Sequence, residues 1–461
     1  MAAGMEVQED IRTERLSHQA SFLFPEDFLW GTATSSHQVE GHNTNNQWWD
    51  WEQSPGHIRN GNGSGWACDW WRNAESDFDR MVELGITSHR LSIEWSRVQP
   101  AEGKFDSAAV DRYRAMLLGL RRRGIKPMVT LHHFTNPRWL EERGGWEQHN
   151  VVVRFFRQYA AHMVKALGDL CDLWCTINEP NVYALLGYVQ SGTMPPGKTD
   201  QFDRAIQVMS NMLFAHAAAY EVLHEHQSLA QVGIAHHMRL FEPYRKDHML
   251  DRAVAGLQDQ VFNQGILTAL LQGKWNMAMR RGQHSSASKL LNTLDWIGLN
   301  YNTRQGTMFD ASAGAGLFER PIALPGGMRA DYGYGEIYPE GIQPLLSRLG
   351  ASNLPIYITE NGIPDASDCF RPEFLVRQVR AIWNAVQDLP IQGYYHYSLI
   401  DSFEWSEGWR LKFGLFSVDP ISQERTPRRS AFLYRDMIRK NGIDGDIVDQ
   451  YAPQIAQRMF P

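Results

Sequence analysis

Two short stretches carry a carboxylate at the point where a β-type run gives out. In Cys175-Thr176-Ile177-Asn178-Glu179-Pro180 the run ends in an amide and a carboxylate and is stopped by proline. In Ile356-Tyr357-Ile358-Thr359-Glu360-Asn361-Gly362 it ends in a carboxylate and an amide, and glycine then frees the backbone to turn. Two carboxyl groups presented at strand ends are the minimum equipment for splitting a glycosidic bond. One must protonate the departing oxygen, and the other must meet the positive charge that grows at the anomeric carbon. On residue type alone Glu179 and Glu360 fit either role. Their separation decides the outcome: about 5–5.5 Å favours retention and about 6.5–9.5 Å inversion.

Such groups need a scaffold, and the chain supplies one by alternation. β-type runs lie at 28–34, 88–95, 126–131, 175–178, 231–235, 295–299, 356–360 and 393–401. Helical periodicity fills 74–84, 110–123, 151–167 and 203–227, with Gly85 and Gly124 as stops. Eight runs with helices between them predict an α/β fold, a single (β/α)8 barrel with elaborated loops after the strands. Residues 1–20 read as a mobile tail and 21–461 as one catalytic domain, with 310–327 a long loop after the sixth strand. Gln38, His133, Asn178, Glu179, Asn300 and Glu360 all fall at carboxyl ends of these runs, the rim where barrel enzymes do chemistry.

Bulk properties narrow the partners. The chain has 461 residues, 43% of them hydrophobic, and a formal net charge of −7, which offers nothing to a phosphate backbone or an anionic membrane. It has no apolar run of the roughly 18 residues a membrane span needs. The polar N-terminus lacks the apolar core of a secretory signal, so a cytoplasmic protein is expected. Cys68, Cys171, Cys175 and Cys369 show no metal-finger spacing and read as reduced thiols. No metal or other cofactor is expected, and a homo-oligomer is compatible with the sequence.

The two carboxylate motifs resemble the signatures of glycoside hydrolase family 1, the β-glucosidase and β-galactosidase family. The resemblance extends over nearly the whole chain. It takes in Phe24-Pro25-Glu26-Asp27-Phe28-Leu29-Trp30-Gly31, Gln38-Val39-Glu40-Gly41 and His89-Arg90-Leu91-Ser92-Ile93-Glu94-Trp95-Ser96-Arg97, then Phe403-Glu404-Trp405 and Phe413-Gly414-Leu415. It implies a retaining double displacement with Glu179 as acid/base and Glu360 as nucleophile, Arg90 lying beside the nucleophile. Gln38, His133, Asn178, Tyr397, Glu404, Trp405 and Phe413 would line the subsite for the non-reducing sugar, supported by Asn300, Tyr301 and Asn302. The implied substrate is a short β-glucoside such as cellobiose or an aryl glucoside, with β-galactosides, β-fucosides and transglycosylation as alternatives. Family members that act on 6-phosphorylated sugars usually replace the residue at Glu404, so an unphosphorylated sugar is implied.

Three positions depart from the family pattern. Phe134 and Tyr397 stand where tryptophan is usual, which keeps an aromatic surface. Asn302 stands where a tyrosine usually bonds the nucleophile, and strand alternation turns Tyr301 away. The expectation is that Asn302 supplies that bond directly or through water. A metal-dependent barrel hydrolase is the competing reading of His132-His133 and His236-His237, but no carboxylate-bridged cluster accompanies them. Trp48, Trp49 and Trp51 read as part of a polar loop after the first strand, and Arg121-Arg122-Arg123 as a helix end that needs no partner.

Overall fold

The structure, a computed structural model, describes residues 21–190, 192–275, 287–313 and 318–460; the tail expected over 1–20 lies outside them. Eight parallel strands close a barrel in chain order: β1 Leu29–Ala33, β2 Ser88–Ser92, β3 Lys126–His132, β4 Leu173–Asn178, β5 Gln231–His237, β6 Trp296–Asn300, β7 Ile356–Asn361 and β8 Ile391–His396. The ring is completed where β8 pairs with β1, Gly393 opposite Leu29 and His396 opposite Thr32. The strands are buried nearly throughout, as expected of a parallel sheet with helices on its outer face and side chains filling its interior. Inside the barrel, Ala33, Met128, Leu173, Cys175, Ala235, Trp296 and Tyr395 pack into a plug beneath the rim.

The helices start and stop for local reasons. Ser107–Arg122 begins after Asp106, whose carboxylate accepts from the Ala109 N–H at 3.1 Å. Trp70–Leu84 ends on Gly85 at φ +77°, a left-handed conformation that costs glycine nothing.

Four local readings are corrected. β8 stops at His396, five residues before the expected end, because the chain leaves the barrel there to bring Tyr397 to the rim. Trp48, Trp49 and Trp51 lie in a short helix, Gln47–Glu52, capped by Asn46, whose side chain accepts from Trp49 N at 2.9 Å. The stretch 310–327 is not all loop: Glu319–Ile322 pairs with Arg304–Phe309, which pairs in turn with Leu240–Pro243, a small sheet outside the barrel. Nor is the arginine run without partners, since Arg123 Nε donates to Asp79 Oδ1 at 2.7 Å.

Candidate active site

The register of three neighbouring strands sets one row of side chains. His237 lies opposite Asn300 across β5 and β6, and Asn300 lies opposite Glu360 across β6 and β7. Glu179 joins from β4: the strand ends at Asn178, and Glu179 turns with φ 48° and ψ 58° into the helix Pro180–Tyr188. A residue before proline is pushed out of the right-handed helical region, so Pro180 fixes the strand end there. The Glu179 backbone N–H is anchored on Ala235 O at 2.8 Å.

Donors converge on the two buried carboxylates. Glu179 Oε1 accepts from Asn300 Nδ2 at 2.7 Å and from His237 Nδ1 at 2.8 Å. Glu360 Oε1 accepts from Arg90 Nη1 at 2.5 Å, a charge-assisted bond. The same guanidinium reaches Asn178 Oδ1 at 2.6 Å and Thr130 Oγ1 at 3.0 Å. Asn178 also accepts from Asn300 at 3.1 Å and donates to His133 Nε2 at 3.2 Å. Thr359 Oγ1 donates to Asn300 Oδ1 at 2.6 Å, which settles the orientation of that amide. The Asn300 amide therefore ties one carboxylate strand to the other, its oxygen to β7 and its nitrogen to the end of β4.

Burial and the two like charges push the carboxyl groups apart in proton affinity. Burial raises Glu360 to about 7, helped by Glu179 and opposed by Arg90. Burial also acts to raise Glu179, but the His237 and Asn300 contacts overcome it and hold that carboxyl below the usual range. The pair therefore shares one proton, which is lost as pH rises through about 7. Two groups this close titrate as a pair, and the proton moves to whichever oxygen a ligand makes more basic.

The sugar-facing end is a second network. Gln38 Nε2 donates to Tyr397 OH at 2.7 Å and to Phe403 O at 2.8 Å. Tyr397 OH in turn donates to Glu404 Oε1 at 2.9 Å, where Ser402 Oγ also donates at 2.8 Å. Burial pushes Glu404 up to about 8, against the pull of Ser402 and Tyr397. Trp405 lies parallel to the rings of His37 and His133, at 5.7 and 6.0 Å, with Phe134 edge-on at 5.2 Å and Trp48 behind it at 4.7 Å. Phe413 packs on Tyr397 at 5.2 Å and on Tyr334 at 5.3 Å.

The site residues named from sequence thus fall on one rim, with one role corrected. Asn302 makes no direct bond to Glu360; its Oδ1 accepts from the Gly362 N–H at 3.1 Å, so it holds the turn after the carboxylate. The parity argument for Tyr301 holds: its hydroxyl leaves the site and donates to Tyr338 O at 2.5 Å, while its backbone N–H binds Glu360 O at 3.0 Å. Among the described residues no cluster of His, Cys, Asp and Glu is placed to hold a metal ion. From sequence, His237 reads only as a rim residue and metal candidate; its alternation with Ala235, which packs inside the barrel, is the signal that carries it to Glu179. Tyr334, 42% exposed, could not be anticipated, because its place depends on the fold of a long excursion after β6.

Known proteins agree with this geometry. The sequence profile of glycosyl hydrolase family 1 matches residues 20–443. A beta-galactosidase from Pyrococcus woesei is 31% identical over 512 residues, covering 93% of this chain and 99% of that protein. Beta-glucosidase A from Thermotoga maritima is 30% identical over 447 residues, covering 91% and 99%. The solved family 1 b-glucosidase from Thermotoga maritima superposes with a TM-score of 0.87 at 28% identity, over 92% of this chain and 100% of that one. Its complex with glucoimidazole superposes at 0.86 and 29% identity, with the same coverage. With barrel, paired carboxylates and profile in agreement, the chain belongs to glycosyl hydrolase family 1 and is a retaining glycosidase.

Proposed function

We propose that the chain is a β-glucosidase that removes terminal non-reducing β-D-glucosyl residues from short oligosaccharides or aryl glucosides. Glu360 is the nucleophile in this reading and Glu179 the acid/base. The observation that carries the roles is the asymmetry of their partners: Glu360 is served by the Arg90 cation at 2.5 Å, and Glu179 only by the neutral donor Asn300 and an imidazole. A nucleophile must be ionised beside the anomeric carbon, which a fixed cation favours. An acid must be able to take up and release a proton, which a permanent cation would impede.

In the first half, a glycoside oxygen near Glu179 takes the shared proton as its bond to the anomeric carbon breaks, and Glu360 forms the glycosyl–enzyme ester. In the second, Glu179 takes a proton from water, the water oxygen bonds to the anomeric carbon, and Glu360 leaves as a carboxylate. Asn178, held between Arg90 and His133, is placed to bond the sugar 2-hydroxyl. Gln38, Tyr397 and Glu404 offer acceptors and donors to the remaining hydroxyls, and Trp405 a flat apolar face.

Glucose is preferred to galactose because Thermotoga maritima and Acetivibrio thermocellus relatives are named beta-glucosidases, whereas the Pyrococcus woesei relative is named a beta-galactosidase. A panel of nitrophenyl gluco-, galacto-, fuco-, manno- and xylosides, each run with EDTA, tests the substrate. The highest kcat/KM is expected on the glucoside, and a higher value on another sugar overturns that choice. Roles are tested separately. Glu360→Gly with azide should yield an α-glycosyl azide and Glu179→Ala a β-glycosyl azide; exchanged products would reverse the assignment.

A further inference from the structure

Behind Glu179 a chain of donors leads away from the reacting atoms. Arg239 Nε donates to His237 Nε2 at 3.4 Å, and His237 Nδ1 lies 2.8 Å from Glu179 Oε1. An imidazole nitrogen that accepts carries no proton, so the single N–H of the ring sits on Nδ1 and points at the carboxylate.

Arg239 is itself held. Its Nη1 donates to Gln305 Oε1 at 3.0 Å, and its backbone N–H and C=O are clamped by the Asn263 amide at 3.0 and 2.7 Å. Both cation and imidazole rest on Phe262, at 5.1 and 5.5 Å from the ring centre. The other charged or titratable groups around Glu179 are Glu360 on β7, Arg90 on β2, His133 on β3, His236 on β5 and Tyr334 on the excursion after β6. Among the described residues both bonds to the Glu179 carboxylate go to Oε1, which leaves Oε2 to meet a reacting oxygen.

We propose that His237, fixed in one tautomer by Arg239, is a positioning residue that holds Glu179 as the water-activating carboxylate for hydrolysis of the glycosyl–enzyme. The inference rests on the reading of Glu179 as acid/base. In that step the water O–H bond breaks with its proton passing to Glu179 Oε2. The water oxygen bonds to the anomeric carbon, and the ester C–O electrons return to Glu360. A donor on Oε1 stabilises the ionised form that begins the step and opposes the protonated form that begins the first half.

The test separates the halves. On 2,4-dinitrophenyl β-glucoside the phenolate leaves without a proton, so kcat reads breakdown of the ester. His237→Phe should lower this kcat roughly tenfold, the value of a hydrogen bond to a charged group, and azide, which needs no base, should restore it. The basic limb of kcat/KM on 4-nitrophenyl β-glucoside should move to higher pH. His237→Asn, whose amide N–H can stand near Nδ1, should recover much of both effects. An unchanged kcat and an unchanged limb overturn the proposal, as does a loss that azide does not relieve. If His237→Phe fails to fold, Arg239→Met is read in the same way, with a smaller shift in the same direction expected. Preference for another sugar moves the assay to that sugar's glycosides and leaves the inference standing. If Glu179→Ala gives no β-azide product, the acid/base reading fails independently of His237.

Discussion

Glu404 shows how much one side chain's surroundings set its charge. Burial lifts it to about 8, so below that pH it carries a proton and can donate to a sugar hydroxyl as well as accept. A carboxyl raised in the fold contributes stability that is complete below its ordinary value near 4.5 and lost as pH rises through about 8. Glu404→Gln does not titrate, so its melting temperature should gain on the parent's between about 4.5 and 8, read by calorimetry across pH. The catalytic pair predicts a profile of its own. Turnover needs one proton shared between Glu179 and Glu360, and the last proton leaves the pair near 7. The kcat/KM for an aryl glucoside should therefore fall above about pH 7 with the loss of a single proton. Both carboxylates were legible in the sequence because each ends a β-run, and the family resemblance set Arg90 beside Glu360, where the structure has it; the His237 contact to Glu179 was not legible. A direct bond from Asn302 to Glu360 is replaced by one from the Gly362 N–H to Asn302, since side-chain reach depends on a turn geometry that residue order does not fix.

At the scale of the element, Gly362, just past the end of β7, lies against the backbone that leaves β8. A Cβ there would lie 1.7 Å from the Tyr397 carbonyl oxygen, and that oxygen belongs to backbone that cannot swing aside. Gly362→Ala must push the exit of β8 away from the end of β7, carrying Glu360 and Tyr397 with it. Overpacking of this kind costs about 1–3 kcal/mol, and a shift of about 1 Å in a reacting group costs roughly 100-fold in rate. A matching loss in both chemical denaturation and kcat/KM is expected. Gly256 gives the contrast: it sits in the helix Met249–Asp259 with open space around it, so Gly256→Ala should add about 0.5–1 kcal/mol and leave turnover unchanged. Strands one to seven could be read within a few residues, because apolar β-formers give way to polar rim groups at their ends. The eighth could not, because 397–401 keeps the same composition after leaving the sheet, and only its contacts with Glu404 and Phe413 reveal the departure.

The whole molecule depends on closure. The acid strand and the nucleophile strand are joined through β5 and β6, and the ring holds its curvature only when β8 reaches back to β1. The alternation of β-runs and helical segments predicted that ring, since a parallel strand requires a crossover and eight such units close on themselves. What alternation could not supply was the sheet built from Leu240–Pro243, Arg304–Phe309 and Glu319–Ile322, whose pairing joins segments far apart in the chain. That sheet carries Gln305, the residue that anchors Arg239, so an excursion outside the barrel reaches the acid/base through three side chains. Closure also has a cost during synthesis. β1 emerges from the ribosome more than 350 residues before the partner that covers its free edge. At about 5–20 residues per second that edge stays unpaired for roughly 20–70 s, a template for pairing with other chains. A chain truncated before Ile391 should accordingly accumulate as aggregate, measured by sedimentation of the translated product, while the full chain stays in the supernatant. The last barrel strand made is then what protects the first, and a nascent chain needs shelter until it arrives.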